Sequence, residues 1–145
     1  MSFGRIFGLV WRGFRMVAVF SGRDTRSQFW SYAIFLYLAL TMAQIAVTVP
    51  LIYGVMERRT ELSVGHPELL AAEPDLNRLI PWGIAASAGF CLLLAGAVTR
   101  RLHDRGLGGA WGLMALPPML IVLVVMLARA GTKGPNRYGD DPAAP

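Results

Sequence analysis

The sequence predicts an all-α integral membrane protein: three transmembrane helices preceded by an N-terminal amphipathic interfacial helix, together forming a single membrane domain over residues 1–145. Three observations predict it. Of 145 residues 54% are apolar, and the mean hydropathy of +0.47 is high for a soluble domain of this size. The apolar residues are gathered into windows without any charged side chain, at 27–56, 79–99 and 107–128. Each window reaches the ~20 residues that cross a hydrocarbon core of ~30 Å. A soluble helical core would need a polar face at helical spacing, and none of the windows has one wide enough.

The N-terminal segment, 3–20, supplies the third observation. Phe3, Phe7, Val10, Phe14 and Val17 recur at three or four residues, while Arg5, Gly8, Arg12 and Arg15 gather on another face. That pattern predicts a helix lying on the membrane surface; the alternative is a cytoplasmic helix packed on the other elements. The arginines interrupt the 7–15-residue apolar core that a cleaved signal peptide requires.

A junction follows, where Gly22 permits a change of direction and Thr25 with Gln28 matches a capping box. The first membrane helix is expected over 27–52, with Phe29, Trp30 and Tyr32 at the interface. The 27–56 window would span about 45 Å as helix, so it overshoots the core, and Pro50 is expected to kink or end it. Tyr37, Thr41, Gln44 and Thr48 align along one face. They read either as interhelical hydrogen-bonding groups or as the lining of a polar path.

Residues 57–78 carry acids, arginines, His66, Pro67 and Pro74 without periodicity and read as a solvated extramembrane loop. No second His or Cys stands near His66, so no metal site is expected. The second membrane helix, 79–99, places Gly83, Ser87, Cys91, Ala95 and Thr99 at unbroken four-residue spacing. Small side chains let backbones approach, so this ridge is expected to pack on the first helix or on a second copy. The lone Cys91 gives no disulfide framework.

Residues 100–106, Arg100-Arg101-Leu102-His103-Asp104-Arg105-Gly106, read as a charged turn at the membrane surface. The third membrane helix is expected over 107–128, entered through glycines around Trp111 and kinked at Pro117-Pro118. The tail, 129–145, is rich in turn formers and lacks an apolar face. Its Gly131-Thr132-Lys133-Gly134 is not a phosphate loop, which needs glycines five apart and a preceding strand.

The formal charge of +5 would point to nucleic acid in a soluble protein, but the arginines flank apolar windows, so anionic phospholipid is the expected partner and nucleic acid is not. The distribution of Lys and Arg favours a cytoplasmic N-terminus, with the tail on the opposite side unless the third segment is re-entrant.

Phe20-Ser21-Gly22-Arg23 with Arg26 and Phe29-Trp30, the block from Arg100 to Gly106 with Trp111, and the tail Gly131-Thr132 followed by Gly134-Pro135-Asn136-Arg137-Tyr138-Gly139-Asp140-Asp141-Pro142 together resemble a bacterial inner-membrane family, domain of unknown function 805. The resemblance covers nearly the whole chain. Where the family usually has Ser-Gly-Trp-Trp after the His-Asp block, this chain has Gly108-Gly109-Ala110-Trp111. The resemblance implies a small multi-helix inner-membrane protein, and it transfers no reaction; the periplasmic C-terminus is expected from the charge distribution with three crossings, not from the resemblance. Asn136, Tyr138, Gly139, Asp141 and Pro142 form its tail motif.

Function is therefore read from position. The leading expectation is a non-enzymatic accessory or scaffold module that packs against a membrane partner or itself, and contacts anionic lipid through Arg23, Arg26, Arg100, Arg101 and Arg105. A subunit of an oligomeric transporter or channel, lined by Tyr37, Thr41, Gln44 and Thr48, is one alternative; against it, no charged side chain or histidine lies in any window. An enzyme at the headgroup layer with His103 as base is another. His103 and Asp104 are adjacent, and consecutive helical side chains diverge by about 100°, so they form no dyad by themselves. A loop-tying hydrogen bond is the structural role expected of His103. No catalytic residue, cofactor or metal is assigned.

Overall fold

The computed structural model describes residues 3–65, 79–115 and 119–144. Four α-helices follow in order: α1 (Phe3–Arg15), α2 (Arg26–Gly65), α3 (Leu79–Asp104) and α4 (Leu120–Ala128), with a 3-10 segment, Gly109–Ala115, before α4. Among the described residues the only β-type pairing is an isolated bridge between Asn136 and Gly139. The chain divides into two units, residues 37–89 and the remainder.

Helix α2 starts where the sequence marks it. The Thr25 amide donates to Gln28 Oε1 (2.8 Å) and the Gln28 amide to Thr25 Oγ1 (3.2 Å), a reciprocal capping box. The helix does not end at Pro50 but runs through it to Gly65, so residues 57–65, expected to be loop, are helical. Charge content suggested a loop there, yet Met56, Glu57, Arg58, Arg59 and Leu62 are strong helix formers and nothing before Gly65 breaks the backbone pattern. The rest of the expected loop, with His66, lies outside the described residues. In α2 and α3, 26–57 and 80–104 are long and apolar enough to cross a membrane.

Helix α3 also outruns its expected end. Residues 100–104 are its last turn rather than a surface turn, and the stop comes at Gly106, which adopts φ 72°. The Leu107 amide donates to the Leu102 carbonyl (3.0 Å) and the Gly106 amide to that of His103 (2.9 Å). This paired closure requires a left-handed residue, which glycine supplies without strain. Helix α1 is shorter than expected, ending at Arg15 in overlapping turns through Val19.

The expected third membrane helix is replaced, among the described residues, by the 3-10 segment and the nine-residue α4, about 14 Å long. Its expected kink at Pro117-Pro118 lies outside the described residues. Both ends of this segment meet the end of α3. Leu107 closes the α3 cap, while Arg105 Nη1 donates to the Met126 carbonyl (2.7 Å) and Arg101 Nε to that of Leu127 (2.9 Å). Leu107 at one end and Met126 and Leu127 at the other thus both lie against the last turn of α3.

The core of the larger unit joins Phe29, Tyr32, Ala33 and Leu36 of α2 to Ala97 and Leu102 of α3 and Leu123 and Leu127 of α4. Helix α1 adds Phe14, edge-on to Tyr32 with ring centroids 5.2 Å apart. Close approach is set by glycine at Gly13, where a Cβ would strike the Tyr32 ring, and at Gly96, where one would lie 2.5 Å from the Val17 carbonyl. In residues 37–89, by contrast, most described side chains are exposed, including Tyr53, Trp82 and Ile84.

Gly13→Ala is expected to destabilise the detergent-solubilised protein by about 1–3 kcal/mol through overpacking. Gly8→Ala, in the same helix with open space around it, should be neutral or stabilising by up to about 1 kcal/mol. Thermal unfolding followed by size exclusion measures both; equal effects would remove the close approach of α1 to Tyr32.

Candidate functional site

The charged residues of the family-like blocks converge. Arg23 and Asp24 arrive from the junction before α2, Arg100, Arg101 and Asp104 from the last turn of α3, and all five are buried. Helical spacing explains the last group: 101 and 104 lie one turn apart on one face, while 100 points elsewhere.

Two carboxylates organise the site. Asp104 accepts from Arg23 through both Nε (3.1 Å) and Nη2 (3.0 Å) at one oxygen, and from Arg101 Nη1 at the other. Asp24 accepts from Arg100 Nε (2.9 Å) and from Arg12 Nη1 of α1 (2.7 Å). The four arginines exceed the two acids, and backbone carbonyls take most of the remaining donors. Arg23 reaches the carbonyls of Thr132 (2.6 Å), Gly134 (2.7 Å) and Gly139 (3.3 Å); Arg100 reaches those of Met16 (2.7 Å) and Val19; Arg101 reaches those of Asp24 (3.3 Å), Leu127 and Arg129. Among the described residues one buried side-chain nitrogen, Arg100 Nη2, has no hydrogen-bond partner. Desolvating an ion is costly unless every donor is matched, so the fork of the guanidinium, with its fixed directions, suits this site where an ammonium would not.

The tail is bound into the same cluster. Thr132 donates from its amide (2.8 Å) and its hydroxyl (3.0 Å) to the Asp104 carbonyl, and Asn136 donates to that of His103 (3.0 Å). Gly131 is packed against the Asp104 carboxylate with no room for a Cβ. Asp141 ties the tail to itself, accepting from the amides of Gly134 (2.9 Å) and Ala143 (2.9 Å). Those hydrogen bonds, first that of Ala143 and then that of Gly134, hold its carboxyl below the usual value of 3.8.

His103 takes the loop-tying role: Nδ1 donates to the Gly22 carbonyl (3.2 Å), and the ring stacks on Tyr138 at 3.8 Å between centroids and 5° between planes. Arg137 in turn lies over the Tyr138 ring, 4.7 Å from its centroid. Among the described residues no three His, Cys, Asp or Glu side chains gather to hold a metal ion.

The structure thus joins Arg23, Arg101, His103, Asp104 and Asn136, Tyr138, Gly139 and Asp141 into one cluster, with Pro142 in its half-buried rim. Arg23, Arg100 and Arg101, expected at headgroups, are turned inward; Arg101 meets Asp104 one turn on, whereas Arg23 and Arg100 meet carboxylates 81 and 76 positions away, which spacing alone does not show. Arg26 is exposed and Arg105 half-buried. The row of Tyr37, Gln44 and Thr48 is exposed, with Thr41 half-buried. On the small-residue ridge Ser87 and Cys91 are exposed and Gly83 and Ala95 half-buried, while Thr99 packs where a Cβ on Gly109 would lie 2.7 Å away. Asp24 and Arg12 were missed as site residues; an acid directly after Arg23, with a capping box behind it, was the available signal.

A model of a family of proteins of unknown function, DUF805, matches residues 17–140. The chain is 34% identical over 125 residues to the inner membrane protein YhaI of Escherichia coli K12, covering 85% of each chain. It is 31% identical over 78 residues to the inner membrane protein YhaH of the same organism, covering 46% of this chain and 64% of that one. No solved structure matches.

Asp104→Ala, which leaves two buried guanidiniums without their carboxylate, is expected to cost about 3–5 kcal/mol. Arg23→Lys should leave α2 and α3 intact but loosen the tail, so that trypsin cleaves after Lys133 and Arg137 in detergent; an unchanged digest would show that the tail is held independently of Arg23. Because Asp141 titrates below its ordinary value, its contribution is present above about pH 4 and lost as pH falls through the lowered value. Asp141→Asn should therefore give at neutral pH, read with trypsin, the tail cleavage that wild type shows only in acid, read there with an acid-active protease.

Proposed function

This chain belongs to the DUF805 family of proteins of unknown function, and from that premise we propose that it is a non-enzymatic accessory or scaffold module of the bacterial inner membrane, packing against a membrane partner or a second copy of itself. The observation that carries this reading is the exposed polar row Tyr37, Gln44 and Thr48 within the apolar stretch 26–57 of α2. In hydrocarbon such groups have no water to bond, so a neighbouring helix is their natural complement, at about 0.6 kcal/mol per hydrogen bond and up to ~1.7. The hydrogen bond and stacking of His103 support a structural part for it, since its Nδ1 and one ring face are already engaged.

The exposed aromatic and aliphatic residues of α1, Ile6, Phe7 and Trp11, support an interfacial placement of that amphipathic helix. Helices α2 and α3 are the two crossings in this reading, and the segment after α3 enters the membrane and returns. The hydrogen bonds from Arg23 and Arg101 to the tail side of the chain support both termini on one side, in contrast to the periplasmic C-terminus expected from three crossings. The density of arginine at that end favours the cytoplasm. Anionic lipid then meets Arg26 and Arg105 rather than the buried Arg23, Arg100 and Arg101.

Reporters fused at either terminus are expected to score as cytoplasmic; a periplasmic C-terminal reporter would overturn the arrangement. Cysteines placed singly at 37, 44 and 48 in a Cys91→Ser background should give, in native membranes, cross-linked products containing a second copy or another membrane protein. No product at any of the three positions would refute the packing reading.

A further inference from the structure

Beside the ionic cluster lies an open cleft of ≈680 Å³, bounded by Arg5 and Leu9 of α1, Thr25 to Gln28 at the start of α2, Arg101 and Asp104 of α3, and tail residues around Lys133 and Asp141. We propose that it binds a phosphate-bearing anion, the headgroup of an acidic phospholipid; this rests on the membrane reading above and gives its lipid contact a defined site.

The charge balance of the walls is the argument. Asp104 is neutralised by Arg23 and Arg101, and Asp141 is occupied by the amides of Gly134 and Ala143. Among the described residues, no acid pairs with Arg5, Arg26 or Lys133, which come from three different elements to line one cleft. The hydroxyls of Thr25 and Ser27, which share one hydrogen bond and so keep one proton between them, belong to that lining. The capping box supplies acceptors to the Thr25 and Gln28 amides, so the amides of Arg26 and Ser27 remain first-turn donors of a 40-residue helix, with its positive end toward the cleft. Planar guanidiniums, an ammonium, hydroxyls and helix amides together are the donor set that phosphate oxygens take, and the volume falls within the ~300–1,000 Å³ of ligand sites.

A lipid fits better than a soluble phosphate because the cleft is open and flanked by apolar surface. Leu9 lines it, and α1, which carries Arg5 and Leu9 into the wall, exposes Ile6, Phe7 and Trp11. Acyl chains leaving the cleft have a surface to follow. The cleft also stands at the start of the apolar stretch of α2, the depth at which headgroups lie.

The test is native mass spectrometry of the delipidated full chain titrated with phosphatidylglycerol, phosphatidylcholine or inorganic phosphate. Wild type is expected to prefer phosphatidylglycerol to phosphatidylcholine. Arg26→Gln with Lys133→Gln should weaken phosphatidylglycerol at least tenfold, from about fivefold per charge. Arg15→Gln with Arg129→Gln, two exposed cations outside the cleft, should change it less than twofold, and Arg26→Lys should retain binding. Equal losses from the two double variants, or no preference between the lipids, would overturn the proposal. Inorganic phosphate binding that depends on Arg26 and Lys133, without phosphatidylglycerol binding, would overturn the lipid assignment and leave a soluble phosphate compound as ligand. Cross-linking at position 44 in the same variants reads the packing reading separately: products kept while lipid selectivity is absent refute the cleft alone.

Discussion

The sharing of Asp104 between Arg23 and Arg101 is the constraint on which the rest of the larger unit depends. Three charged groups removed from water must saturate one another and every remaining donor, or the cluster costs more than it returns. That requirement reaches outward. Arg23 takes carbonyls of the tail, Arg101 takes those at the end of α4, and Arg100, through Asp24, draws in Arg12 and the turns after α1. Segments with little regular structure of their own are thereby ordered by the donors they satisfy.

The same cluster explains several small residues. Gly131 can lie against the Asp104 carboxylate only because it has no Cβ, and Gly96 makes room for the Val17 carbonyl beside Arg100. Gly106 ends α3 in a left-handed conformation, turning Leu107 back toward Leu102. Mutually dependent contacts of this kind favour one arrangement over near alternatives, since losing any partner strands a buried charge.

Functionally, the charged block that resembles a miniature active site is an internal fastening, with His103 hydrogen-bonded to Gly22 and covered by Tyr138. The groups left over are of two kinds: polar side chains on the exposed face of α2, and unpaired cations around the cleft. Both face outward.

Much of this was legible in the residues. Two long apolar helices, the capping box at Thr25 and the three blocks that mark the family are local properties, set by hydropathy and hydrogen-bonding pattern within a few residues. The end of α3 was legible too, had Gly106 been weighed above the charges before it. The burial of Arg23, Arg100 and Arg101 was not, because a guanidinium beside an apolar window has the same local signature whether it meets a headgroup or a carboxylate 81 positions away. Nor was the choice for the third apolar window, whose uncharged length fits a crossing and a re-entrant segment equally; the hydrogen bonds of Arg105 and Arg101 put its far end, at Met126 and Leu127, against the end of α3. The sequence by itself determined which stretches are apolar and where the helices of the first two begin. The tertiary structure decided where the charges go, since pairing between distant residues is settled by geometry and desolvation rather than by composition.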